Sequence, residues 1–150
     1  MKKGVLWWFI FVLLFLWQLP QNIIGLFMML WFKDCDSLEL IDHTDWTYAF
    51  KSKEMLGGIS LGTFCFLSEN DALNPAIVAH EMIGHPKQSR MLGWLYLFVV
   101  GIPSILHAEF RDRQKSCYYD YWCERWANDL AGIEADENCR LRFKENSPTV

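Results

Sequence analysis

The first 33 residues constrain the fold most strongly, because two long apolar runs lie there. Residues 5–17 are all apolar, and a second apolar run, 23–32, follows the polar stretch QLPQN. A single helix over residues 5–32 would be about 42 Å long, which exceeds the roughly 30 Å hydrocarbon core of a bilayer. The pattern predicts a membrane anchor over residues 1–33, followed by a small domain over residues 34–150.

Two arrangements of the anchor fit its length. A single tilted or proline-kinked span, with its end along the interface, is favoured over a tight hairpin bent at Pro20, because each hairpin arm would be short for a full crossing. A signal peptide fits less well, since no small-residue cleavage site follows the apolar run. Lys2 and Lys3 favour a cytoplasmic N-terminus.

Charge and cysteine content exclude several classes of protein. The net charge is −4 and no long basic run occurs, so nucleic acid is not an expected partner. The five cysteines are odd in number and form no C-x-x-C pair, which excludes a zinc ribbon and a thioredoxin motif. A disulfide framework is not indicated either, and reduced or buried thiols are expected.

One short strand and one capped helix are expected after the anchor. Residues 33–53 are polar and indicate a connection with short elements, whereas the run 59–67 alternates as an extended chain and predicts a strand. A helix then begins where Asn74 can cap it and Pro75 suits the first helical position. Pro86 marks the end of this helix or a kink, because it has no N–H to donate.

The C-terminal half adds a broken apolar segment and an amphipathic helix. Residues 91–106 are short for a span and are interrupted by Gly101 and Pro103, so they indicate a buried core helix, a re-entrant segment or an interfacial one. Residues 118–134 have helical spacing, with one face formed by Tyr119, Trp122, Trp126 and Leu130. The predicted fold is a mainly α membrane protein with an N-terminal transmembrane helix, one short β-strand or hairpin, an active-site-like helix, this apolar segment and a C-terminal amphipathic helix.

The stretch HEMIGHP brings together the residues with the clearest chemistry, His80, Glu81 and His85. In the pattern H-E-x-x-H, two imidazoles on one helix face bind zinc and the glutamate acts as general base. Here the histidines are five apart, which separates them by roughly 140° around a regular α-helix, against about 40° for four apart. A π-bulge would bring them nearly into line, and Gly84 and Pro86 favour such a distortion.

The third ligand is expected from the later helix. Glu124 can supply it, and Asn128, one turn further on the same face, can orient a ligating histidine by a hydrogen bond. A second interpretation keeps the first helix straight. Glu81 and His85, which are four apart, would then be the ligands, and His80 would transfer protons.

Two stretches carry a resemblance to known proteins. The run AHEMIGHPKQSRMLGWLYLFVVGIPS and the later run YYDYWCERWANDLAG resemble a group of small bacterial membrane proteins. That group has an H-E-x-x-G-H-x-x-Q-S signature, continued by L-G-x-L-Y-L and G-I-P-S, and a later Y-T-E-x-W-A-D-x-L-G-G. WQLPQNIIG and GGISLG are similar to the same group, so the resemblance covers most of residues 17–134 and implies a bacterial cytoplasmic membrane.

A wider resemblance is to membrane-linked zinc metallopeptidases of the gluzincin type. In those proteins H-E-x-x-H supplies two ligands and the base, and E-x-x-A-D supplies the third ligand and a further carboxylate. The resemblance implies zinc bound by His80, His85 and Glu124, with Glu81 as the catalytic base and Asn128 where a carboxylate is usual. It also implies that the strand before the helix holds a peptide backbone by edge pairing.

The leading hypothesis is a membrane-anchored, zinc-dependent hydrolase, with the bilayer as partner and a protein or peptide as substrate. A second hypothesis is a non-catalytic membrane protein whose histidine and glutamate cluster is structural or binds a partner, and a third is a small interaction protein without metal. If Glu124 and His80 share one metal, both lie at one depth, so residues 91–106 cannot cross the membrane as a simple span.

Overall fold

Two apolar helices open the described chain and meet at a right-angled corner. The structure, a computed structural model, describes residues 4–34, 38–44, 46–112 and 116–144. Helices α1 (Val5–Trp17) and α2 (Leu19–Asp34) are bent by 96° at a break between them. Pro20 lies in the first turn of α2, where its missing N–H costs no hydrogen bond. The corner therefore corresponds to a kinked arrangement and not to a tight hairpin.

Apolar length was the basis for predicting a transmembrane helix. No single helix within the described ranges is long and apolar enough to cross a membrane. Two bent pairs of helices pass the same test of length and composition when each pair is taken together, 5–33 with its 96° bend and 75–110 with a bend of 116°.

A small sheet follows the corner, and the described chain is mostly helical apart from it and one hairpin. The sheet has the order β1-β2-β4-β3, in which β2 and β4 are parallel and the other neighbours are antiparallel. Its strands are β1 (Leu38–His43), β2 (Tyr48–Ser52), β3 (Ile59–Leu61) and β4 (Phe64–Ser68). The expectation of little strand outside 59–67 was wrong, because residues 38–52 pair along the sheet despite their polar composition.

The single strand predicted over residues 59–67 is a hairpin. Leu61 pairs with Phe64 across a tight turn in which Gly62 has a φ of +67°, a left-handed conformation that favours glycine. The reversal places Leu61 in the same cluster as Phe64 and Phe66. A continuous strand would have put it on the opposite face, with Cys65.

The two faces of the sheet pack against different helices. On one face Phe32 of α2 contacts Phe66, with ring centroids 5.7 Å apart. On the other face Cys65 and Leu67 pack against Met82, which belongs to the helix that carries HEMIGH. The sheet therefore joins the apolar corner to that helix.

The helix that carries HEMIGH is interrupted by one wide turn. It consists of α3 (Pro75–Ala79), a π-helical turn (His80–Gly84) and α4 (His85–Leu92). Asn74 caps it, since its Oδ1 accepts a hydrogen bond from the Ala76 N–H at 3.0 Å, as the sequence predicts.

Buried polar side chains fasten the corner between α1 and α2 to the rest of the chain. The Ser89 hydroxyl of α4 donates to Gln18 Oε1 at 2.7 Å and accepts from Gln21 Nε2 at 2.9 Å. Asn22 Oδ1 accepts from the backbone N–H of Thr63 at 2.8 Å. All three corner residues are buried, so these contacts orient α4 relative to the apolar helices.

The apolar segment after α4 is largely exposed. It runs through a 3-10 turn (Gly93–Leu95), a second π-helical turn (Leu97–Gly101) and helix α5 (Ile102–Phe110). The interpretation as a buried core helix was wrong, because most of its large side chains are at least half exposed: Trp94, Leu95, Phe98, Ile105, Leu106 and Phe110. The re-entrant and interfacial interpretations stay open.

The last helix buries a different face from the one predicted. A 3-10 turn (Tyr118–Asp120) leads into α6 (Trp122–Ala131), and a hairpin of β5 (Ile133–Ala135) and β6 (Leu141–Phe143) follows. Trp122 is 47% exposed, and the buried face consists of Cys123, Glu124, Ala127 and Asn128. Packing of this polar face against the π-helical turn, and not apolar spacing, decides the orientation of α6.

A disulfide links this region, contrary to the sequence expectation. Cys117 and Cys139 are bonded, whereas Cys65 and Cys123 are free and buried. Cys35 lies outside the described residues. The bridge joins the segment before α6 to the β5–β6 hairpin, two stretches whose approach only the tertiary fold determines.

Candidate metal centre

The π-helical turn brings the two histidines side by side. His80 and His85 are both buried, and their ring centroids are 4.6 Å apart. The predicted distortion between His80 and Pro86 is confirmed, and the straight helix on which the second interpretation depended is not present. The extra residue in the motif is therefore absorbed by the wider turn.

Glu124 of α6 faces both imidazoles. Its Oε2 lies 3.0 Å from His80 Nε2 and 3.3 Å from His85 Nε2, and the carboxylate is fully buried. Burial opposes the ionisation of Glu124. The two imidazoles outweigh that effect, so the pKa of this carboxyl lies well below its ordinary value. Glu124 is thus a carboxylate at neutral pH.

The outer nitrogens of both rings are held by amide oxygens. His80 Nδ1 lies 2.8 Å from Asn128 Oδ1, and His85 Nδ1 lies 2.8 Å from Gln88 Oε1. Gln88 Nε2 donates to the backbone oxygen of Cys123 at 2.7 Å, which leaves its Oε1 as the atom facing the ring. Because amide oxygens only accept, both Nδ1 atoms carry protons, and the Nε2 atoms of neutral imidazoles are then acceptors.

This proton arrangement fits a bound cation. Two Nε2 atoms and a carboxylate oxygen at this distance need a proton or a metal ion between them. Burial opposes the charging of His85, but Glu124 outweighs it and raises the pKa of His85 to about 9, so without a metal His85 carries that proton near neutral pH. Zinc bonds of 2.0–2.1 Å in a tetrahedral site place ligand atoms about 3.3 Å apart, close to the observed separations. His80, Glu81 and His85 also form a buried group whose ligand atoms lie within 4.8 Å of one another and could hold a metal ion.

Glu81 is held beside the histidines by the edge strand. The Ser60 hydroxyl lies 2.6 Å from Glu81 Oε2 and 2.6 Å from the Glu81 backbone oxygen. Its single proton reaches one acceptor at a time, and the carboxylate is the stronger of the two. If Glu81 carried a proton, the carboxyl would donate to Ser60, and the hydroxyl would then donate to the backbone oxygen. Both forms of Glu81 are therefore accommodated.

A cavity of about 480 Å³ opens beside this group. Glu81 and His85 form part of its wall, together with Ser60 of the edge strand β3. Most of the remaining wall is apolar and includes Leu61, Leu97, Phe98, Ile102 and Ile105. Glu81 and His85 therefore face an apolar space, whereas Tyr119 and Asn128 line a polar pocket.

The two free thiols are not suited to nucleophilic or ligand roles. Burial raises the pKa of Cys65 well above its ordinary value, with Glu81 adding to the effect, and burial raises the pKa of Cys123 to about 12. A thiol must lose its proton to attack or to bind a metal. The chemistry of this site therefore depends on imidazole and carboxylate groups.

Three residues of the site did not follow from the sequence motif: Ser60, Gln88 and Tyr119. Gln88 is three residues after His85 and stands at the glutamine of the H-E-x-x-G-H-x-x-Q-S signature, but neither observation assigned it a role. Ser60 interrupts an apolar strand. The edge of the Tyr119 ring meets His80 with centroids 5.4 Å apart, a contact that no sequence pattern predicts. Every predicted site residue, in contrast, lies in this cluster.

Comparisons of the chain with protein-family models, curated proteins and solved structures found no match.

Proposed function

We propose that this chain is a membrane-anchored, zinc-dependent hydrolase of the peptidase type that acts near the membrane surface. The observation that carries the proposal is the convergence of His80 Nε2 and His85 Nε2 on Glu124 Oε2, at 3.0 and 3.3 Å. In this assignment these three residues are the zinc ligands. Glu81 is left as the general base, since its Oε2 is already engaged by Ser60.

The other groups have roles that follow from their contacts. Asn128 and Gln88 orient the two rings through their Nδ1–H groups. Zinc in such a site lowers the pKa of a bound water and polarises a carbonyl. Glu81 would take the proton of the attacking water and return it to the leaving amine, as the resemblance to gluzincin peptidases implies.

Substrate binding is proposed for the cavity and the edge strand. Within the described residues β3 is an edge strand of the sheet and lines the cavity through Ile59 and Ser60. An extended peptide could add there as a further strand by displacing the Tyr96 hydroxyl from the Ser60 backbone oxygen. The apolar wall favours large apolar side chains in that peptide. A small protein or peptide with an apolar segment is therefore the proposed substrate class.

The proposal of a membrane anchor is supported by exposed apolar side chains. Phe9, Phe27 and Trp31 on the two N-terminal helices are 60%, 71% and 63% exposed, and Phe110 of α5 is 79% exposed. Exposed large apolar side chains in this number are typical of a membrane or protein interaction site. A bacterial cytoplasmic membrane is the environment that the sequence resemblance implies.

A second candidate function is purely structural. Glu124 and Asn128 both bond to His80, and Gln88 bonds to the backbone of Cys123, so the cluster ties α6 to the helix carrying HEMIGH. Protonated imidazoles could satisfy Glu124 without any metal. In that case the cluster would stabilise the fold or shape a surface for a partner.

Metal analysis of detergent-purified protein separates the two candidates. We expect one zinc ion per chain in the wild type and in Glu81→Gln, and loss of most of it in His80→Ala and Glu124→Ala. Cleavage of fluorescently labelled casein should be lost in all three variants. His43→Ala is a suitable control, because this exposed histidine lies on β1 outside the cluster.

Two outcomes would contradict the proposal. Absence of stoichiometric zinc from wild-type protein that has been offered the metal would leave only the structural role. Zinc binding with unchanged cleavage in Glu81→Gln would show that the metal is structural or that another group is the base.

A further inference from the structure

Glu81 is enclosed from two sides by the start of strand β3. On one side the Ser60 hydroxyl lies 2.6 Å from Oε2. On the other side Oε1 lies so close to the Gly58 Cα that a Cβ there would collide with it. The carboxylate is thereby confined between a hydrogen-bond donor and a residue without a side chain.

Strand β3 is itself fixed at this point. The Tyr96 hydroxyl donates to the Ser60 backbone oxygen at 3.2 Å, and Ser60 pairs with Cys65 in the sheet. Ser60 and Tyr96 are both buried. Ser60, whose hydroxyl donates to Glu81, is therefore held both by the sheet, through Cys65, and by the apolar segment, through Tyr96.

The hydrogen bonds of the Ser60 hydroxyl distinguish its role from that of the proposed metal ligands. Within the described chain its hydrogen bonds reach Glu81, and none reaches His80, His85 or Glu124. Loss of the hydroxyl should therefore release the carboxylate without removing a ligand. A general base has to lie within hydrogen-bond reach of the proton that it takes. A Glu81 carboxylate that is free to rotate would be in this position less often, which would lower the rate of the reaction.

We propose that Gly58 and Ser60 form a cradle that fixes the Glu81 carboxylate beside the metal centre, which makes Ser60 a positioning residue for the base. This inference rests on the proposed hydrolase function and names the residues that make its base effective. It predicts that the two cradle residues act on the base and leave metal binding intact.

The test compares Ser60→Ala, Ser60→Thr and Glu81→Gln with the wild type, all purified as full chains in detergent and loaded with Co²⁺. Three quantities are measured: metal content, the affinity for acetohydroxamate from the visible spectrum, and cleavage of labelled casein. Acetohydroxamate binds the metal and shares a proton with a neighbouring base, so its affinity reports on the carboxylate even without turnover. Ser68→Ala is the matched control, since this buried serine of the same sheet bonds to Asp71.

We expect Ser60→Ala and Glu81→Gln to keep one metal ion and to bind acetohydroxamate roughly ten-fold more weakly, the effect of losing one hydrogen bond to a charged group. Ser60→Ala should lower kcat for casein more than it raises KM, and Ser60→Thr should restore both quantities. Gly58→Ala should reproduce the weakening by pushing Oε1 aside, although it removes no hydrogen bond.

Three results would overturn the cradle. The first is wild-type acetohydroxamate affinity in Ser60→Ala when Glu81→Gln is weakened. The second is loss of metal from Ser60→Ala, which would make its role structural. The third is failure of Ser60→Thr to restore affinity while its metal content and thermal unfolding match the wild type. Absence of metal from the wild type would instead refute the proposed function, and the cradle with it.

Discussion

At the scale of single residues, one amide controls the orientation of the first proposed ligand. Asn128 Oδ1 lies 2.8 Å from His80 Nδ1 and is an uncharged amide oxygen. A neutral oxygen still fixes the tautomer, but it adds less basicity to the imidazole than a charged one does. The residue would thus support metal binding by orienting the ring more than by adding basicity.

Replacing Asn128 tests this role. We expect Asn128→Ala to weaken zinc affinity by roughly 10- to 100-fold, the usual effect of removing such a partner, and Asn128→Asp to match or exceed the wild type. Competition with a chromogenic zinc chelator measures both values. Equal affinities in Asn128→Ala and the wild type would show that the amide has no part in metal binding.

Acidification should release zinc through the histidines and not through Glu124. The pKa of Glu124 is lowered in the fold, so its contribution to stability is present above the ordinary carboxyl range and is lost only as the pH falls through the lowered value. Protons therefore compete with zinc first at His85, whose pKa is raised to about 9 because Glu124 outweighs the opposing effect of burial. Zinc release followed by dialysis at a series of pH values should be complete before Glu124 is protonated.

The pH dependence of zinc release in Glu124→Gln tests whether the histidines take up protons before Glu124 does. Glu124→Gln should weaken zinc binding at every pH without changing how steeply release depends on pH. A shallower pH dependence in this variant would show that the Glu124 carboxyl is among the groups that take up protons during release.

At the scale of secondary-structure elements, the wide turn over residues 80–84 decides which side chains face α6. It aligns the histidines and also sets the rotation of α4 that follows, which carries Gln88 to the Cys123 backbone and Ser89 to Gln18. With the extra residue between His80 and His85, the histidines face α6 and, at the same time, Gln88 and Ser89 reach their buried partners. Without it, both sets of contacts could not form together.

Deleting Ile83 would restore the H-E-x-x-H spacing, and we expect it to harm the protein. Removal of one residue rotates α4 by about 100° and shifts it by 1.5 Å. Gln88 and Ser89 would lose their partners, each at a cost of roughly 1–3 kcal/mol for a buried polar group. Urea unfolding monitored by circular dichroism measures the loss.

Ile83→Ala is the control for that deletion, because it shortens a partly buried side chain and keeps the residue count. A deletion variant as stable as Ile83→Ala, with zinc affinity at or above the wild type, would show that the extra residue is dispensable.

At the scale of the whole molecule, the disulfide predicts the compartment in which the candidate metal centre lies. The Cys117–Cys139 bridge spans 22 residues and encloses both Glu124 and Asn128. Disulfides persist in oxidising compartments and are rare in the cytosol. We therefore predict an extracytoplasmic position for α6 and, through Glu124, for the candidate metal centre.

Alkylation of intact cells tests that position. Protein extracted in the presence of iodoacetamide should yield residues 117 and 139 as one cross-linked peptide pair in mass spectrometry, with alkylation of both only after reduction. Reduction should also lower the free energy of unfolding by about 3 kcal/mol, as expected for a loop of this length. Recovery of both cysteines as free thiols would place this region in a reducing compartment.

The sequence by itself determined the local features of this protein. Asn74 and Pro75 predicted the start of the helix, and the spacing of His80 and His85 together with Gly84 and Pro86 predicted its distortion. Both depend on hydrogen bonds within a few residues of each other, which local sequence controls directly. The residues in HEMIGHP and ERWAN were proposed for the candidate site because of their residue types, whereas Ser60, Gln88 and Tyr119 were not. Metal binding by this cluster stays a prediction.

Only the tertiary structure decided what depends on distant contacts. Leu38–His43 and Tyr48–Ser52 are strands because they pair with each other and because the second also pairs with β4. Glu124 and Asn128 lie on the buried face of α6 because that face meets the histidines. The Cys117–Cys139 bridge and the reach of Ser60 to Glu81, 21 residues away, depend on the same packing. These contacts join segments that are far apart in the chain. The spacing of residues within one segment therefore cannot predict them.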